Sequence, residues 1–216
     1  RNEILSRLRQ AGQTSIPGGG AEILSERVRR RIEPKKGGPG AWLEVHREAH
    51  RQGFKSTATM MYGHVEQPED VLDHLDSIRA LQDEHGGFTA FVPWSFKPGN
   101  TLLEKWIKHY KGPNAYLRML AVSRLYLDNF PHVQASWFSE GKRAGQVALS
   151  WGADDFGGTL FEENVHAAAD FVNKWLTWGA GPRASMNLIL AAKAHAVLQG
   201  HFHVSADDVA TVAAPI

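Results

Sequence analysis

The chain has 216 residues, of which 43% are apolar and 22% charged, and these fractions are typical of a folded globular domain, so disordered and fibrous classes are excluded. The net charge of +1 argues against a dedicated nucleic-acid or membrane-surface binder, and no apolar stretch reaches the ~18 residues of a membrane span. We therefore expect a cytoplasmic protein. The sequence contains no cysteine, which excludes disulfides, thiolate nucleophiles and cysteine-ligated metal sites within these residues.

In chain order, short apolar runs typical of strands alternate with helical periods over about the first 165 positions. The predicted helices cover residues 4–11, 21–32, 41–52, 68–84, 102–109, 114–127 and 140–150. A first strand ends at the glycine run 18–20, and further strands are predicted at 55–62, 88–94 and 132–137. In the long helix at 68–84, the apolar residues expected to face inward are Val71, Leu72, Leu75, Ile78 and Leu81.

Strand–helix–strand units of this length predict an α/β fold with a parallel sheet. The number of units is about half that of an eight-unit barrel, so we expect a partial (β/α) TIM-like barrel, its C-terminal half. From residue 170 onward no strand is predicted and alanine becomes frequent. The predicted domains are therefore a partial barrel at 1–169 and a small all-α tail at 170–216. Because the sequence starts neither with Met nor with a signal peptide, we expect a fragment.

Polar residues follow the first two predicted strands, and in a parallel barrel such strand ends lie at one face. After the first strand, the glycine run leads to Glu22, which is either a ligand-facing carboxylate or a solvated residue at the start of a helix. After the second come Tyr62, His64 and Glu66. An imidazole beside a carboxylate is a possible acid–base pair, and the alternative is an ordinary loop contact.

The third and fourth strand ends combine aromatic rings with amide and hydroxyl groups. Trp94 follows the third strand, and Gln134 and Ser136 lie at the end of the fourth. Such residues at one rim suit a planar heterocycle, although core packing explains the tryptophan almost as well.

Two further sequence patterns suggest a metal site and a phosphate site, but each lacks a residue pattern that such a site needs. His46 and His50 share one helix face, but Arg47 stands where the zincin pattern needs Glu, so a metal site is not expected. Arg183 begins a helix after a tight turn and suits a phosphate, but the sequence has no phosphate-binding Gly-x-x-x-x-Gly-Lys-Ser/Thr loop.

Six segments resemble the cyclic dehypoxanthinyl futalosine synthases, radical S-adenosylmethionine (SAM) enzymes of the futalosine route to menaquinone. They are residues 16–24 (IPGGGAEIL), 57–66 (TATMMYGHVE), 81–94 (LQDEHGGFTAFVPW), 123–130 (SRLYLDNF), 134–137 (QASW) and 152–158 (GADDFGG). The resemblance covers about residues 1–169. The pairs at 93–94 and 136–137 are more similar to this family than to aminofutalosine synthase or to the cofactor F420 synthase subunit.

The resemblance implies a barrel whose other half holds a [4Fe–4S] cluster on three cysteines and cleaves S-adenosylmethionine to start cyclisation of a nucleoside substrate. Residues matching the family at the barrel mouth are implied to bind SAM or substrate: Glu22, Tyr62, Trp94, Gln134, Ser136 and Asp155. His64 and Glu66 are hypothesised to handle protons or bind ribose. With no cysteine, this chain alone is expected to hold neither cofactor and to be inactive, with a separate N-terminal half as its possible partner.

The tail resembles the lid of MoxR-type AAA+ ATPases, in residues 178–185 (WGAGPRAS), 191–194 and 204–209. Arg183 would correspond to that family's ATP-contacting arginine. The sequence therefore leaves three hypotheses: part of a futalosine-cyclising enzyme, a helical nucleotide-sensing or interaction module, and a non-functional chimera of two unrelated segments.

Overall fold

The computed structural model describes residues 2–97, 101–107 and 110–158, together with positions 199 and 205. The chain divides into two compact units, residues 1–157 and 158–216. The predicted boundary at 169/170, the tail helices and Arg183 lie outside the described residues. Within the described ranges, no helix is long and apolar enough to cross a membrane.

Helices and strands alternate as the sequence predicts. The strands are β1 (Ser15–Ile16), β2 (Lys55–Tyr62), β3 (Phe88–Ser95) and β4 (His132–Val133). The helices are α1 (Asn2–Gln10), α2 (Glu26–Ile32), α3 (Pro39–Arg51), α4 (Pro68–His85), α5 (Pro113–Tyr126), α6 (Trp137–Glu140) and α7 (Lys142–Ala148), with a 3₁₀ helix at Leu102–Trp106.

The four strands form one parallel sheet in the order β1-β2-β3-β4. Each strand therefore lies beside the one before it in the chain, with helices in the connections, as in consecutive units of a barrel. This parallel sheet with helical connections confirms the predicted α/β fold, and its topology is that of part of a barrel. The main core lies between one face of the sheet and the helices, and its strand residues include Ala58, Met60, Tyr62 and Phe91.

Helix α4 has the strongest local signals in the sequence. Gln67 and Asp70 form a capping box at its start, Pro68 occupies the first turn, and Gly86 ends it in the left-handed conformation. Its inward face is confirmed except at Leu72, which is 46% exposed because it lines an open cleft against α5. The prediction that Leu72 faces the core was wrong.

Three boundaries differ from the predictions. α2 starts at Glu26 instead of residue 21, because the preceding residues run as buried irregular chain beside β2. The fourth strand is shorter than predicted, because Ser136 is already the cap residue of α6. The helix predicted at 140–150 is interrupted by Gly141, whose φ of 91° is incompatible with a helix.

The segment predicted as a helix at 102–109 is a 3₁₀ helix as far as Trp106. Thr101 caps it, and it contains no buried residue. Helical stability in proteins comes mostly from packing of an apolar face, and no apolar side chain of this segment is buried.

Candidate functional site

The carboxyl ends of the four strands lie at one edge of the sheet, because all four run parallel. Alternate residues of a strand point to opposite faces. Ala58, Met60 and Tyr62 pack in the core against the helices, so Thr57, Thr59 and Met61 belong to the opposite face. In a closed barrel that opposite face is the interior.

Register places a row of side chains on this interior face near the strand ends. Thr59 pairs with Val92, and Gln134 donates its backbone N–H to the Phe91 carbonyl, which places it beside Val92 on the other side. Gln134 in turn forms a parallel bridge with Asp155. Adjacent strands are about 4.8 Å apart, so these side chains form a continuous line across the sheet.

Trp94 lies one step nearer the strand ends. It pairs with Met61 on β2, whose side chain shares the interior face. The structure thus brings together three of the predicted residues, Trp94, Gln134 and Asp155, on one surface. Aromatic, amide and carboxylate groups on a single face can stack on and hydrogen-bond to a heterocyclic ligand.

The glycine run continues the line of β1 along β2 in close backbone contact. The Gly18 N–H donates to Thr57 Oγ1 at 3.2 Å, and Thr59 Oγ1 donates to the Gly18 carbonyl at 3.0 Å. A Cβ at Gly18 would lie 1.8 Å from the Thr57 carbonyl oxygen, so no larger residue fits. Positions 19 and 20 have open space around them.

Side chains from two helices hold the carbonyls of this loop. Trp42 Nε1 donates to the Gly19 carbonyl at 3.2 Å, and the buried guanidinium of Arg29 donates to the carbonyls of Gly20 and Ala21 at 2.9 and 2.8 Å. Every carbonyl from 18 to 21 therefore accepts a side-chain hydrogen bond. The loop backbone is therefore held by hydrogen bonds from within this chain.

Glu22 ends this loop with φ of 48°, the one positive φ of a non-glycine residue among the described residues. Its carbonyl accepts from the Met61 N–H at 2.9 Å, and its carboxylate lies 3.6 Å from Lys36 Nζ with the side chain 17% exposed. Such conformations are costly and concentrate at functional sites. The fold thus holds the Glu22 backbone in a costly conformation at the strand edge, with its carboxylate beside Lys36.

Glu66 organises the loop after β2. Its carboxylate accepts from the backbone N–H groups of Gly63 at 2.5 Å and His64 at 2.8 Å. The loop is also tied to the start of α2, because Arg27 pairs with Asp70 and donates to the Val65 carbonyl at 3.1 Å. Glu66 is therefore largely committed to backbone contacts.

Both ring nitrogens of His64 are occupied within the same loop. Nε2 lies 2.8 Å from the Met61 carbonyl and must carry the proton, while Nδ1 accepts from the Val65 N–H at 2.8 Å. The Glu66 carboxylate is 3.3 Å from Nδ1. Burial lowers the pKa of His64, so the ring is neutral at pH 7. The predicted pair is in contact, but its polar atoms face the loop backbone.

Ser136 and Tyr62 lie away from the interior row. Ser136 is fully buried, where its hydroxyl donates to the Pro93 carbonyl and its N–H donates to the Tyr116 hydroxyl, both at 2.8 Å. Tyr62 belongs to the helix-facing core. Among the described residues its hydroxyl has no hydrogen-bond partner.

Sequence reasoning missed a buried carboxylate beside the end of β3. Glu140 accepts from the backbone N–H of Ser95 at 2.9 Å and from its hydroxyl at 2.7 Å, and pairs with Lys97 Nζ at 2.9 Å. This cluster fixes α6 against β3. The signal in the sequence was a basic residue two positions after β3, Lys97, and an acidic residue, Glu140, in the short helix after β4.

The helix that carries His46 and His50 holds them at the other end of the sheet. Both rings are buried and share the Ser56 hydroxyl, at 3.1 and 2.7 Å. Burial lowers the pKa of each to about 4. In the part of the chain that the structure describes, no three His, Asp or Glu side chains converge as metal ligands would.

Family comparisons match three stretches of the sequence. Residues 1–78 match the Radical SAM superfamily, and residues 85–180 match the CofH/MqnC C-terminal region. Residues 168–216 match the AAA lid domain. The first two matches cover all four strands and the interior row.

Curated relatives point to the same group. Aminodeoxyfutalosine synthase of Thermus thermophilus is 47% identical over 81% of this chain and 48% of its own length. Cyclic dehypoxanthine futalosine synthase of Streptomyces coelicolor is 42% identical over 77% of this chain and 41% of its own. The 5-amino-6-(D-ribitylamino)uracil–L-tyrosine 4-hydroxyphenyl transferase of Methanoculleus marisnigri is 47% identical, over 77% and 46%.

The chain spans somewhat less than half the length of these three relatives. Because the identities of this chain to the three relatives all lie between 42% and 47%, they do not indicate which of the three activities it shares. Residues 1–78 are therefore similar to the radical SAM superfamily and residues 85–180 to proteins with a CofH/MqnC C-terminal region, and the chain continues into a segment that matches an AAA lid domain.

Proposed function

We propose that residues 1–157 are the substrate-side part of a radical SAM enzyme that cyclises dehypoxanthine futalosine on the way to menaquinone. The observation that carries this proposal is the row of Thr59, Gln134 and Asp155, with Trp94 above it, on the interior face of the sheet. The segments that form the row include those resembling the cyclising family. The 42% identity to the Streptomyces coelicolor cyclic dehypoxanthine futalosine synthase supports the same substrate.

The residues present do not fit the iron–sulfur cluster of such enzymes. Its ligands are cysteine thiolates, and the 216 residues include no cysteine. We therefore assign this chain no part in generating a radical, and we propose that the chain alone does not catalyse the reaction. In an active assembly, the cluster ligands belong to another polypeptide segment.

The residues that do fit are those that bind and orient a nucleoside or the SAM molecule. Gln134 offers both donors and an acceptor to a polar ligand, Asp155 accepts from hydroxyl groups, and Trp94 offers a ring face for stacking. Glu22 supplies an acceptor-only carboxylate suited to an ammonium or a ribose hydroxyl. The glycine loop positions it.

In this proposal His64 and Glu66 affect ligand binding indirectly, by holding the loop after β2 in place. Their contacts hold the backbone between β2 and α4, so they are positioning residues for Glu22 and the strand edge. Ser136 has the same role for β4 through its bonds to Pro93 and Tyr116.

The identity to one curated relative favours a second activity, aminodeoxyfutalosine synthesis. The Thermus thermophilus aminodeoxyfutalosine synthase has higher identity to this chain, 47%, than the cyclising enzyme. In that case the same interior row would bind the substrate of aminodeoxyfutalosine synthesis.

A fusion experiment distinguishes the two. The full chain is joined behind the N-terminal part of the Streptomyces coelicolor enzyme, and anaerobic product formation is followed with each substrate. We expect turnover of dehypoxanthine futalosine. Turnover of only the aminodeoxyfutalosine synthase substrate would replace the first proposal by the second, and a folded, cluster-loaded fusion that turns over neither would contradict both and favour a non-functional chimera.

The match of residues 168–216 to an AAA lid supports the alternative of a nucleotide-sensing or interaction module. In that alternative Arg183 contacts ATP phosphate. We expect no ATP binding by the full chain, because the sequence lacks a phosphate-binding glycine loop. Calorimetric titration with ATP tests this expectation, and binding that is lost in Arg183→Gln would establish the module.

A further inference from the structure

A cleft of about 470 Å³ lies between α4 and α5, on the helix side of the sheet. It is thus separated by the sheet from the interior row of Thr59, Gln134 and Asp155. Its size falls in the range of small-molecule sites. Apart from the Tyr62 ring, its apolar lining consists of Pro68, Val71, Leu72, Ala115, Met119 and Val122.

One residue that lines this cleft, Tyr62, carries a buried hydroxyl without a partner among the described residues. Tyr62 is 2% exposed. Burial raises the pKa of Tyr62 well above its usual value, so the hydroxyl keeps its proton. An unsatisfied buried donor destabilises the unliganded chain, and a ligand acceptor would satisfy it.

Two cations line the same cleft. Neither Lys111 nor Arg118 has a carboxylate within 4.0 Å among the described residues, and Lys111 packs its aliphatic stem over Gly63. The one acidic lining residue, Glu66, already accepts two backbone hydrogen bonds. The local charge therefore favours an anion, and the aliphatic walls favour a hydrocarbon body.

We propose that this cleft is a second binding site, for a medium-chain aliphatic carboxylate. The hydrocarbon chain lies against the α4 and α5 side chains. The carboxylate accepts a hydrogen bond from the Tyr62 hydroxyl and faces Lys111 and Arg118. The site is independent of the proposed radical SAM function, because it uses the opposite face of the sheet.

The test is calorimetric titration of the full chain with octanoate, with 1-octanol as the uncharged control. We expect one saturable octanoate site and at least tenfold weaker binding of 1-octanol. Arg118→Gln should weaken octanoate binding about fivefold or more, while Arg143→Gln, an exposed arginine outside the cleft, should leave it unchanged.

Tyr62→Phe separates binding from folding. Removing a buried hydroxyl without a partner should leave the unliganded chain at least as stable to urea, yet weaken octanoate binding two- to tenfold. The proposal is overturned if octanoate does not saturate, if 1-octanol binds equally well, or if Tyr62→Phe and Arg118→Gln bind octanoate as the unmodified chain does.

Discussion

Arg29 holds the glycine loop in place through hydrogen bonds to its backbone. It is 3% exposed and, among the described residues, satisfies three backbone carbonyls, those of Gly20, Ala21 and Gly37, without a carboxylate partner. Its charge-assisted hydrogen bonds replace the helical hydrogen bonds that the extended residues before α2 cannot make.

Replacing Arg29 by Met should lower the free energy of unfolding by about 2–4 kcal/mol, because buried carbonyls lose their donors. The neighbouring Arg30 is the matched control, since its side chain is 79% exposed and, in the described part of the chain, pairs only with Glu26. Arg30→Met should cost less than about 1 kcal/mol. Urea unfolding measures both, and equal losses would contradict the role assigned to Arg29.

Glu66→Gln distinguishes positioning from proton handling. Gln keeps one oxygen acceptor for the backbone N–H groups of the loop but cannot take up a proton at neutral pH. In the fusion enzyme we expect turnover within about threefold of the unmodified fusion and an unchanged pH profile. A loss of about a hundredfold or more would instead support the acid–base hypothesis.

Residue types at the strand ends were predictable, but their orientation was not. Tyr62 and Trp94 are both aromatic residues at the end of a strand, yet one faces the helices and the other the interior. The difference comes from strand register, including a bulge at Ser56/Thr57 that no local pattern shows. Glu140 was missed because its partners lie over 40 residues away in the sequence.

At the scale of elements, the glycine run can approach β2 closely because residue 18 has no side chain. Gly18→Ala should destabilise the chain by about 1–3 kcal/mol or more, because the added methyl meets a backbone carbonyl that cannot move aside. Gly19→Ala in the same loop is the control, since nothing lies within 4 Å of its would-be Cβ. Urea midpoints compare them, and equal stability of the two variants would show that β1 does not pack as described.

Elements with strong local signals were predicted closely. α4 has a capping box, an N-terminal proline and a C-terminal glycine, and β2 is predicted at residues 55–62, where the structure has it. β4 and α2 were predicted too long, because tertiary contacts end them. The Asp155 carbonyl accepts a hydrogen bond from the Ala135 N–H just after β4. A backbone carbonyl in the segment before α2 accepts a hydrogen bond from the Met61 N–H, which holds this segment beside β2.

At the scale of the whole molecule, the three buried histidines with the most strongly lowered pKa values couple folding to pH. Burial lowers the pKa of His46 and His50 to about 4 and that of His74 to about 3. The unfolded chain, with histidine pKa values near 6.5, therefore binds more protons at acidic pH. Their contribution to stability is complete above about pH 6.5 and is lost as the pH falls toward 4.

Lowering the pH from 7 to 5 should therefore cost about 2 kcal/mol for each of the three residues. His74→Gln keeps an acceptor for the Leu24 N–H, which His74 Nδ1 accepts at 3.1 Å, but cannot ionise. It should reduce this pH dependence by about one third. Urea midpoints at pH 7 and pH 5 measure the effect, and a pH-independent midpoint would contradict it.

The most direct test of the central claim, that this chain supplies a ligand-holding part of a radical SAM barrel and not its cluster, is electron paramagnetic resonance after anaerobic reconstitution with iron and sulfide. The chain alone and its fusion behind the N-terminal part of the Streptomyces coelicolor enzyme are reduced side by side. We expect a reduced [4Fe–4S] signal from the fusion and none from the chain alone. A cluster signal from the chain alone would contradict the account.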